Sequence, residues 1–374
     1  MKKYLLFTVV ILTTISNSAQ DTHHSHQSNR KIEFPDIDGF KTLICDLHQH
    51  TVFSDGAVWP SIRVQEAIKD GIDVISLTEH LEYQPHEKDI PHKDRNRAYQ
   101  IALDAAKNHD LIVINGSEIT RSMPPGHSNA IFITDANKLL VDDAIDAFNE
   151  AHNQGAFVFW NHPNWISQVD NGIAKLTDMH KDLLKQNLIH GIEVVNEDTY
   201  SDEALQIALD NDLTIIGTSD IHGLIDWKFN ISEGGHRPVT LVFAKEKNKN
   251  SLKEALFNKQ TVVYFNNILI GRKEFLVPLI TASINITKAK YIGESSVLFL
   301  SFKNNSDVDF MLKNNTNYTF HDNIDVIIIK ANSSTIVRVK TLIKKSSLNL
   351  NFEVLNAVLA PNTHPNIDFK ITIN

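Results

Sequence analysis

Residues 42–50 have the sequence TLICDLHQH, an apolar run that ends in a pair of histidines. The run at 42–47 predicts a buried β-strand. Because side chains alternate along an extended segment, His48 and His50 point to the same side. Two imidazoles at that spacing are able to hold one metal ion. The stretch therefore predicts a metal site at the carboxyl end of a strand.

Strand-like and helix-like segments alternate from about residue 40 to residue 265. Pro60 is typical of a helix start, and Gly71 of the residue just past a helix end. Apolar strands are predicted at 74–77, 111–115, 130–133, 156–160, 192–195, 213–216 and 239–244. Continuous apolar strands that alternate with helices indicate a parallel sheet covered by helices, either a barrel or a doubly wound sheet.

The sequence changes character near residue 285. Residues 286–374 contain short strand-like segments separated by polar turns, which predicts a small all-β sandwich of immunoglobulin-like size. We therefore divide the chain into a signal peptide at 1–19, a polar linker at 20–36, a catalytic domain at 37–285 and a β-sandwich domain at 286–374. The β-domain carries no catalytic set, so packing against the first domain or homo-oligomerisation is its expected role.

The first 19 residues predict export. Lys2 and Lys3 precede an apolar segment that ends before small residues, as in a secretory signal peptide. The apolar segment is shorter than the roughly 20 residues of a membrane-spanning helix. We expect a bacterial protein that is periplasmic or secreted, with no transmembrane span after cleavage.

Composition limits the chemistry that the chain can perform. The 374 residues include 18 histidines but a single cysteine, Cys45, and the net charge is −9. One cysteine excludes an internal disulfide and a thiolate-rich zinc site. The acidic balance argues against a general nucleic-acid-binding surface. A metal site in this chain has to be built from His, Asp and Glu.

Metal-capable side chains follow one candidate strand after another. They are His48, His50, Asp55, His80, Glu118, His127, His162, Asp220 and His222. In a β/α barrel the carboxyl ends of the strands meet on one face, where active sites lie. The sequence therefore predicts that these nine side chains form one polynuclear site.

Two metal-dependent families carry a His-x-His pair after the first strand. The amidohydrolase superfamily normally places a modified lysine in the bridging position and a single Asp after the last strand. This chain has Glu118 in the bridging position, a closing Asp220-x-His222 pair and an additional His80. It resembles the polymerase and histidinol phosphatase (PHP) family, and in particular an exported bacterial phosphodiesterase branch with a C-terminal β-domain.

The resemblance implies a distorted (β/α)7 barrel, an α/β fold, with two to three divalent metal ions. The first ion would take His48, His50, Glu118 and Asp220. The second would take Glu118 as a bridging ligand, with His127 and His162. The third would take Asp55, His80 and His222. Mixed imidazole and carboxylate ligands suit Mn²⁺, Fe²⁺ or Zn²⁺.

The expected activity is metal-dependent phosphodiester hydrolysis of small phosphate esters through a hydroxide that bridges two ions. Three alternatives remain open at the level of sequence. They are a histidinol-phosphatase-like phosphomonoesterase on the same site, an amidohydrolase-type dinuclear hydrolase, and a non-catalytic surface-binding protein. Trp165 and Trp227 are candidates for an apolar wall beside the substrate.

Further side chains are predicted to assist the metal ligands. Arg237 is a candidate phosphate clamp, because a guanidinium matches phosphate oxygens bidentately. His236 is a candidate general acid for the leaving oxygen. Asp46 is expected to accept the second ring hydrogen of a histidine ligand. Glu79 and Glu193 are expected to contact the metal ligands without binding an ion themselves.

Overall fold

The computed structural model describes residues 31–373. The predicted signal peptide at 1–19 and residues 20–30 of the predicted linker lie outside the described residues. Among the residues described, no helix is both long enough and apolar enough to cross a membrane.

The strands and helices alternate through the first domain, and the second domain is made of strands. The strands are β1 Lys41–Asp46, β2 Val74–Leu77, β3 Ile112–Ile119, β4 Ser128–Ile131, β5 Phe157–Trp160, β6 Gly191–Asn196, β7 Thr199–Tyr200, β8 Thr214–Thr218, β9 Val239–Ala244, β10 Thr261–Phe265, β11 Ile268–Gly271, β12 Ile284–Tyr291, β13 Val297–Asn304, β14 Phe310–Asn314, β15 Thr319–Phe320, β16 Val326–Ile329, β17 Ser334–Lys340, β18 Ser347–Val354, β19 Ala357–Val358 and β20 Asn366–Thr372. The helices are α1 Pro60–Asp70, α2 Arg97–Ala106, α3 Ala144–Asn153, α4 Asp178–Lys185, α5 Asp202–Asp210, α6 Ile225–Lys228, α7 Lys249–Phe257 and α8 Lys273–Ser283.

Helix boundaries follow the residues that the sequence offers for them. Helix α1 begins at Pro60 and is closed by Gly71, whose φ of 74° is the left-handed conformation that glycine adopts freely. Helix α5 is capped by the Ser201 side chain, which accepts a hydrogen bond from the backbone N–H of Ala204. Gly71 thus ends α1 shortly before β2, and Ser201 starts α5 directly after β7.

The first domain is built on one twisted sheet of mixed direction. Its strand order is β19-β11-β10-β9-β1-β2-β3-β4-β5-β6-β7, with β8 also paired to β6. The parallel pairs β1·β2, β2·β3, β5·β6 and β6·β8 agree with the predicted parallel barrel. Strands β4 and β9 run antiparallel to their neighbours, which periodicity did not predict. For β4 the reason is length, because residues 120–127 are too few for the crossover that a parallel strand needs.

The sheet curls until its two sides meet. Thr240 of β9 donates its hydroxyl to the Gly217 carbonyl of β8 at 2.8 Å and accepts from the Gly217 N–H at 2.9 Å. A Cβ at position 217 would lie 2.3 Å from Val263 of β10, so only glycine permits this approach. Buried Leu43 and Phe159, from strands on different sides, share one apolar cluster with Cys45. This closure confirms the predicted distorted barrel.

The second domain is a sandwich of two four-stranded sheets. Their orders are β12-β13-β17-β15 and β16-β14-β18-β20, and all of their pairings are antiparallel. Phe302, Phe310 and Phe352 are fully buried in one apolar cluster. The predicted immunoglobulin-like sandwich is confirmed.

The two domains are joined by hydrogen bonds as well as by the chain. Strand β19 of the sandwich pairs with β11 of the barrel sheet. The Asn356 side chain donates to the carbonyls of Asn267 and Asp309 at 2.7 and 2.8 Å. Residues 31–36, which were predicted as the end of a linker, also contact both domains, since Glu33 N–H donates to Asp307 and Ile32 N–H donates to Asp70 O.

Candidate metal centre

The nine predicted ligands lie at the carboxyl ends of the barrel strands or in the loops that follow them. Seven of them line a cavity of about 430 Å³, whereas His48 and His50 lie buried beneath it. The lining consists of Asp55, His80, Tyr83, Glu118, Thr120, His127, His162, Trp165, Asn196, Glu197, Asp220 and His222. The barrel thus gathers side chains that are up to 174 positions apart in the sequence.

The first group of donors is formed by His48, His50 and Asp220. The two histidine Nε2 atoms lie 3.0 Å apart, and Asp220 Oδ1 lies 3.1 Å from His48 Nε2 and 3.0 Å from His50 Nε2. Ligands bound to one ion at about 2.0–2.2 Å are separated from one another by about 3–3.5 Å. The three atoms therefore have the mutual spacing of ligands around one ion.

Glu118 is central to the cavity and fully buried. Its Oε1 lies 3.1 Å from His127 Nδ1 and 3.4 Å from His162 Nε2. Its Oε2 lies 2.6 Å from His80 Nδ1 and 3.6 Å from His50 Nε2. A carboxylate whose two oxygens face different imidazoles has the arrangement of a bridging ligand.

A further group surrounds Asp55 at the outer side of the cavity. Asp55 Oδ1 lies 3.2 Å from His222 Nε2, and Asp55 Oδ2 lies 3.4 Å from His80 Nε2. His50 Nδ1 lies 3.7 Å from Asp55 Oδ1. His80 thus faces Glu118 with one ring nitrogen and Asp55 with the other, so it joins two groups that the sequence kept separate.

Three sets of side chains place donor atoms within 4.8 Å of one another. They are His48, His50 and Asp220; His80, Glu118 and His127; and His50, Asp55, His80 and His222. These sets follow the three predicted ligand groups only in part. His50 and His80 each belong to two sets, Glu118 belongs to one set and not to the His48 set, and His162, whose Nε2 lies 3.4 Å from Glu118 Oε1, belongs to none. The spacing is compatible with two to three ions.

Several buried ligand atoms in this cavity make no hydrogen bond of good geometry to the described residues, although imidazole nitrogens lie close to the carboxylate oxygens. They are Glu118 Oε2, Asp220 Oδ1, Asp55 Oδ1 and His162 Nδ1. An unpaired buried polar atom costs roughly 1–3 kcal/mol, and more when it is charged. Divalent cations would satisfy the three carboxylate oxygens, so the residues present fit a metal centre of the Mn, Fe or Zn type.

Charged neighbours shift the pKa values of Glu118 and His80 in the direction opposite to the effect of burial. Burial alone raises the pKa of Glu118, but His80 and His48 outweigh it and hold the pKa well below its ordinary value. Burial lowers the pKa of His80, but Glu118 and Asp55 raise it to about 11. Burial and the neighbouring His80 lower the pKa of His50 to about 3. The carboxylates are thus ionised, and the protons that His80 and His48 hold without metal would be released when a cation binds.

Two ligands are held in strained backbone conformations. His162 has φ 29° and Asp220 has φ 45°, both in the left-handed region that non-glycine residues seldom adopt. Such strain is found at sites where the surrounding structure fixes a functional side chain. Here the backbone N–H of His162 donates to Glu193 Oε2 at 2.8 Å, and Asn196 Nδ2 donates to Asp220 Oδ2 at 3.1 Å.

Glu193 lies on β6, and its carboxylate contacts the predicted ligands from the barrel interior. Its Oε1 lies 2.9 Å from His48 Nδ1 and accepts from the Thr218 hydroxyl at 2.6 Å. Its Oε2 accepts from Asn196 Nδ2 at 2.8 Å and from His162 N–H. Hydrogen bonds of this kind orient ligating imidazoles.

Glu79 stabilises the loop after the His-x-His pair. It accepts hydrogen bonds from the Thr51 N–H, the Thr51 hydroxyl and the Ser54 hydroxyl. The Ser54 Oγ in turn lies 3.2 Å from His50 Nδ1. Glu79 therefore acts on His50 through Ser54.

The structure corrects the predicted role of Asp46. Its carboxylate accepts from Gln49 Nε2, from the Ser219 hydroxyl and from Arg237 Nη1, at 2.7, 2.7 and 3.1 Å. None of these contacts involves a histidine. The hydrogen bond expected between Asp46 and a ligand is instead made to His48 by Glu193.

The structure also corrects the predicted phosphate clamp and general acid. Arg237 is fully buried, and its guanidinium binds Asp70 at 2.5 and 3.0 Å as well as Asp46, so it cannot reach the cavity. His236 is partly buried, with its ring stacked on Tyr264 at 3.9 Å and its Nδ1 facing the Arg237 carbonyl. Neither residue lines the cavity.

Arg63 is a supporting residue that the sequence did not reveal. It is fully buried in α1 and donates to the carbonyls of His50, Ile221 and His222 at 3.0, 3.2 and 3.1 Å, while Glu66 pairs with it at 2.6 Å. Arg63 therefore ties the first ligand loop to the last one. A buried arginine has no signature in a helical pattern, so only the structure identifies it.

Asn161 is a second supporting residue that was missed. Its Nδ2 donates to Glu118 Oε1 at 2.8 Å, and its Oδ1 accepts from the Asn129 N–H at 3.1 Å. These bonds fix the carboxylate between its histidines. Its place directly before His162 was the one available signal.

Comparison with known proteins gives a strong match over both domains. A two-domain protein from Bacteroides vulgatus ATCC 8482, described as containing a predicted PHP-like metal-dependent phosphoesterase, is 42% identical, with a TM-score of 0.85. The match covers 91% of this chain and 98% of that one. The family model DUF5001, described as an Ig-like domain, matches residues 284–370. No curated protein matches the sequence.

Two further solved structures are distant. PsfC from Pseudomonas syringae PB-5123 is 15% identical with a TM-score of 0.41, covering 65% of this chain and 96% of that one. An amidohydrolase from Chromobacterium violaceum is 16% identical with a TM-score of 0.36, covering 48% of this chain and 87% of that one. These likenesses are too weak to add to the assignment. The match over nearly the whole of both chains shows that this chain belongs to the PHP-like metal-dependent phosphoesterase family, in a two-domain form with a C-terminal Ig-like domain.

Proposed function

We propose that this protein is an exported, metal-dependent phosphodiesterase that hydrolyses small phosphate esters at the barrel cavity. The observation that carries the proposal is the convergence of six histidines with three carboxylates, one of which is the buried Glu118. Export rests on the sequence of residues 1–19 alone. Homo-oligomerisation through the β-domain stays a prediction.

Each side chain has a role in this proposal. His48, His50 and Asp220 would hold a first ion, and His127 and His162 would hold a second, with Glu118 contributing to both. Asp55, His80 and His222 would hold a third ion at the outer side of the cavity. When bound, the ions supply Lewis acidity and a water that ionises near neutral pH.

The chain's own residues keep this machinery in place. Glu193 orients His48, and Asn161 orients Glu118, so both side chains are already held beside the cavity. Arg63 fixes the two loops that carry His50 and His222 relative to each other. Preorganised ligands avoid the cost of reordering side chains during each turnover.

The charges beside the cavity favour a diester over a monoester. Among the described residues that line it, none is Lys or Arg, and Glu197 adds a carboxylate at the rim. The nearby Lys228 is paired with Glu197 at 3.1 Å and with Asp198 at 2.8 Å, and Arg121 is paired with Glu82 at 2.9 Å. The lining offers no side-chain cation for the second charge of a phosphomonoester dianion, so the bound ions alone would have to balance it, whereas a diester carries a single charge.

Chromogenic esters test this function. With Mn²⁺ present, we expect kcat/KM for bis(4-nitrophenyl) phosphate to exceed that for 4-nitrophenyl phosphate by at least about tenfold, and a reversed preference would indicate the phosphomonoesterase. Glu118→Gln should reduce the diester rate by more than about 100-fold, since loss of supporting residues alone costs 10–100-fold in such sites. Glu233→Gln, an exposed carboxylate outside the cavity, is the matched control and should keep full activity.

A further inference from the structure

Two aromatic side chains at the cavity follow metal-ligand candidates at the same spacing. Tyr83 lies three residues after His80, and Trp165 lies three residues after His162. Both line the cavity, and Tyr83 is 52% exposed and Trp165 43% exposed. The metal chemistry described above uses neither ring.

Trp165 is fixed against the histidines by its own backbone. Its N–H donates to the His162 carbonyl at 2.9 Å, which closes a tight turn after the ligand. Its ring then packs 5.2 Å from the His162 ring and 5.6 Å from the His127 ring, between centroids. The indole is therefore held in place while part of its surface stays open to the cavity.

Tyr83 has the corresponding place beside the other group of ligands. Its ring lies edge-on to His80, with centroids 5.8 Å apart and an interplanar angle of 73°. The intervening turn is held by Gln84, whose Nε2 donates to the His80 carbonyl at 2.5 Å. The two rings thus border the cavity at two different histidine groups.

The rest of the lining shows which ligand these rings fit. The other side chains are polar, imidazole or acidic, and none of those described is Lys or Arg. The Glu197 carboxylate at the rim disfavours a substrate arm that bears a second negative charge. An exposed ring face beside such a cavity gains free energy by stacking on an uncharged flat ring.

We propose that Tyr83 and Trp165 form a stacking rim that selects phosphodiesters with an uncharged, flat ring on at least one ester arm. The proposal rests on the proposed phosphodiesterase function for the reaction itself. The rim governs which diester binds, and the two residues are positioning residues for the ester arm. Trp227 is 79% exposed and does not line the cavity, so it has no part in the rim.

Ligand binding tests the rim without turnover. Diphenyl phosphate and dimethyl phosphate are titrated calorimetrically into the metal-loaded full chain, and metal content is measured for each variant. We expect wild type to bind diphenyl phosphate at least about tenfold more tightly, because one stacked ring contributes roughly 1–3 kcal/mol. Trp165→Ala and Tyr83→Ala should each reduce this ratio about fivefold or more, whereas Trp165→Phe should retain most of it.

Trp227→Ala is the control, and it should leave the ratio at the wild-type value. Equal affinities of wild type for the two diesters, or no detectable binding of diphenyl phosphate, would overturn the proposal. So would a ratio that Trp227→Ala changes as much as Trp165→Ala. Hydrolysis of methyl 4-nitrophenyl phosphate by wild type reports the underlying function separately. A binding preference without hydrolysis supports the rim and contradicts the phosphodiesterase function. Hydrolysis without a binding preference supports the phosphodiesterase function and contradicts the rim.

Discussion

Replacing Arg237 by alanine tests whether this residue has a structural role or a catalytic one. Its guanidinium is fully buried and makes three charged hydrogen bonds, two to Asp70 and one to Asp46. The Arg237→Ala variant would leave two buried carboxylates without this cation. Breaking a buried ion pair by removing one partner costs about 3–5 kcal/mol.

The expected loss is large enough to follow by thermal unfolding. For a domain of 150–250 residues, 1 kcal/mol corresponds to about 2–4 °C in melting temperature, so the variant should melt roughly 6–20 °C lower. Asp46 also accepts from Ser219, which directly precedes Asp220, so some metal affinity should be lost as well.

The control is Arg338→Ala, which removes an exposed arginine paired with Asp322 in the β-domain. Exposed ion pairs contribute about 0–1 kcal/mol, so its melting temperature should change little. A purely structural role for Arg237 is refuted if Arg237→Ala melts like wild type while its kcat/KM for a diester collapses. That outcome would restore the phosphate clamp.

Three other changes have defined outcomes. Glu193→Gln should weaken metal binding by about 10–100-fold in a chelator competition, because an amide N–H₂ would face N–H and O–H groups that now donate hydrogen bonds to Glu193. An unchanged affinity would contradict the role given to Glu193. Arg63→Ala should lower both stability and metal content. A metal content equal to that of wild type would contradict the role of Arg63 in holding the two ligand loops together. Burial lowers the pKa of His180 and of His190 to about 4. The free energy of unfolding should therefore be highest above pH 6.5 and fall towards pH 4, by up to about 3 kcal/mol for each histidine. Melting curves of wild type and His180→Gln across this pH range would detect the fall.

The sequence predicted the site better than its surroundings, for a physical reason. Metal ligands have to be His, Asp or Glu, and the barrel places every strand end on one face, so residue type and position along the chain were enough to find nine candidates. Strands Val74–Leu77 and Val239–Ala244 were also predicted with the bounds that the structure has.

The remainder depends on contacts that periodicity does not encode. A buried run of apolar residues reads the same in either direction, so the antiparallel course of β4 and β9 was missed. Arg237 and Asp46 were assigned by chemical type, yet they bind each other in the interior. Arg63 acts through carbonyls contributed by loops 13 and 159 positions away, which only the folded chain brings together.

The number of metal ions per chain tests the central claim most directly. Protein purified without chelators is analysed by elemental mass spectrometry, beside Glu118→Gln and the exposed control Glu233→Gln. The ligand geometry predicts two to three ions per chain for wild type and for Glu233→Gln, with a clear loss in Glu118→Gln. A wild-type value near zero, with no hydrolysis of any phosphate ester after Mn²⁺ is added, would contradict it.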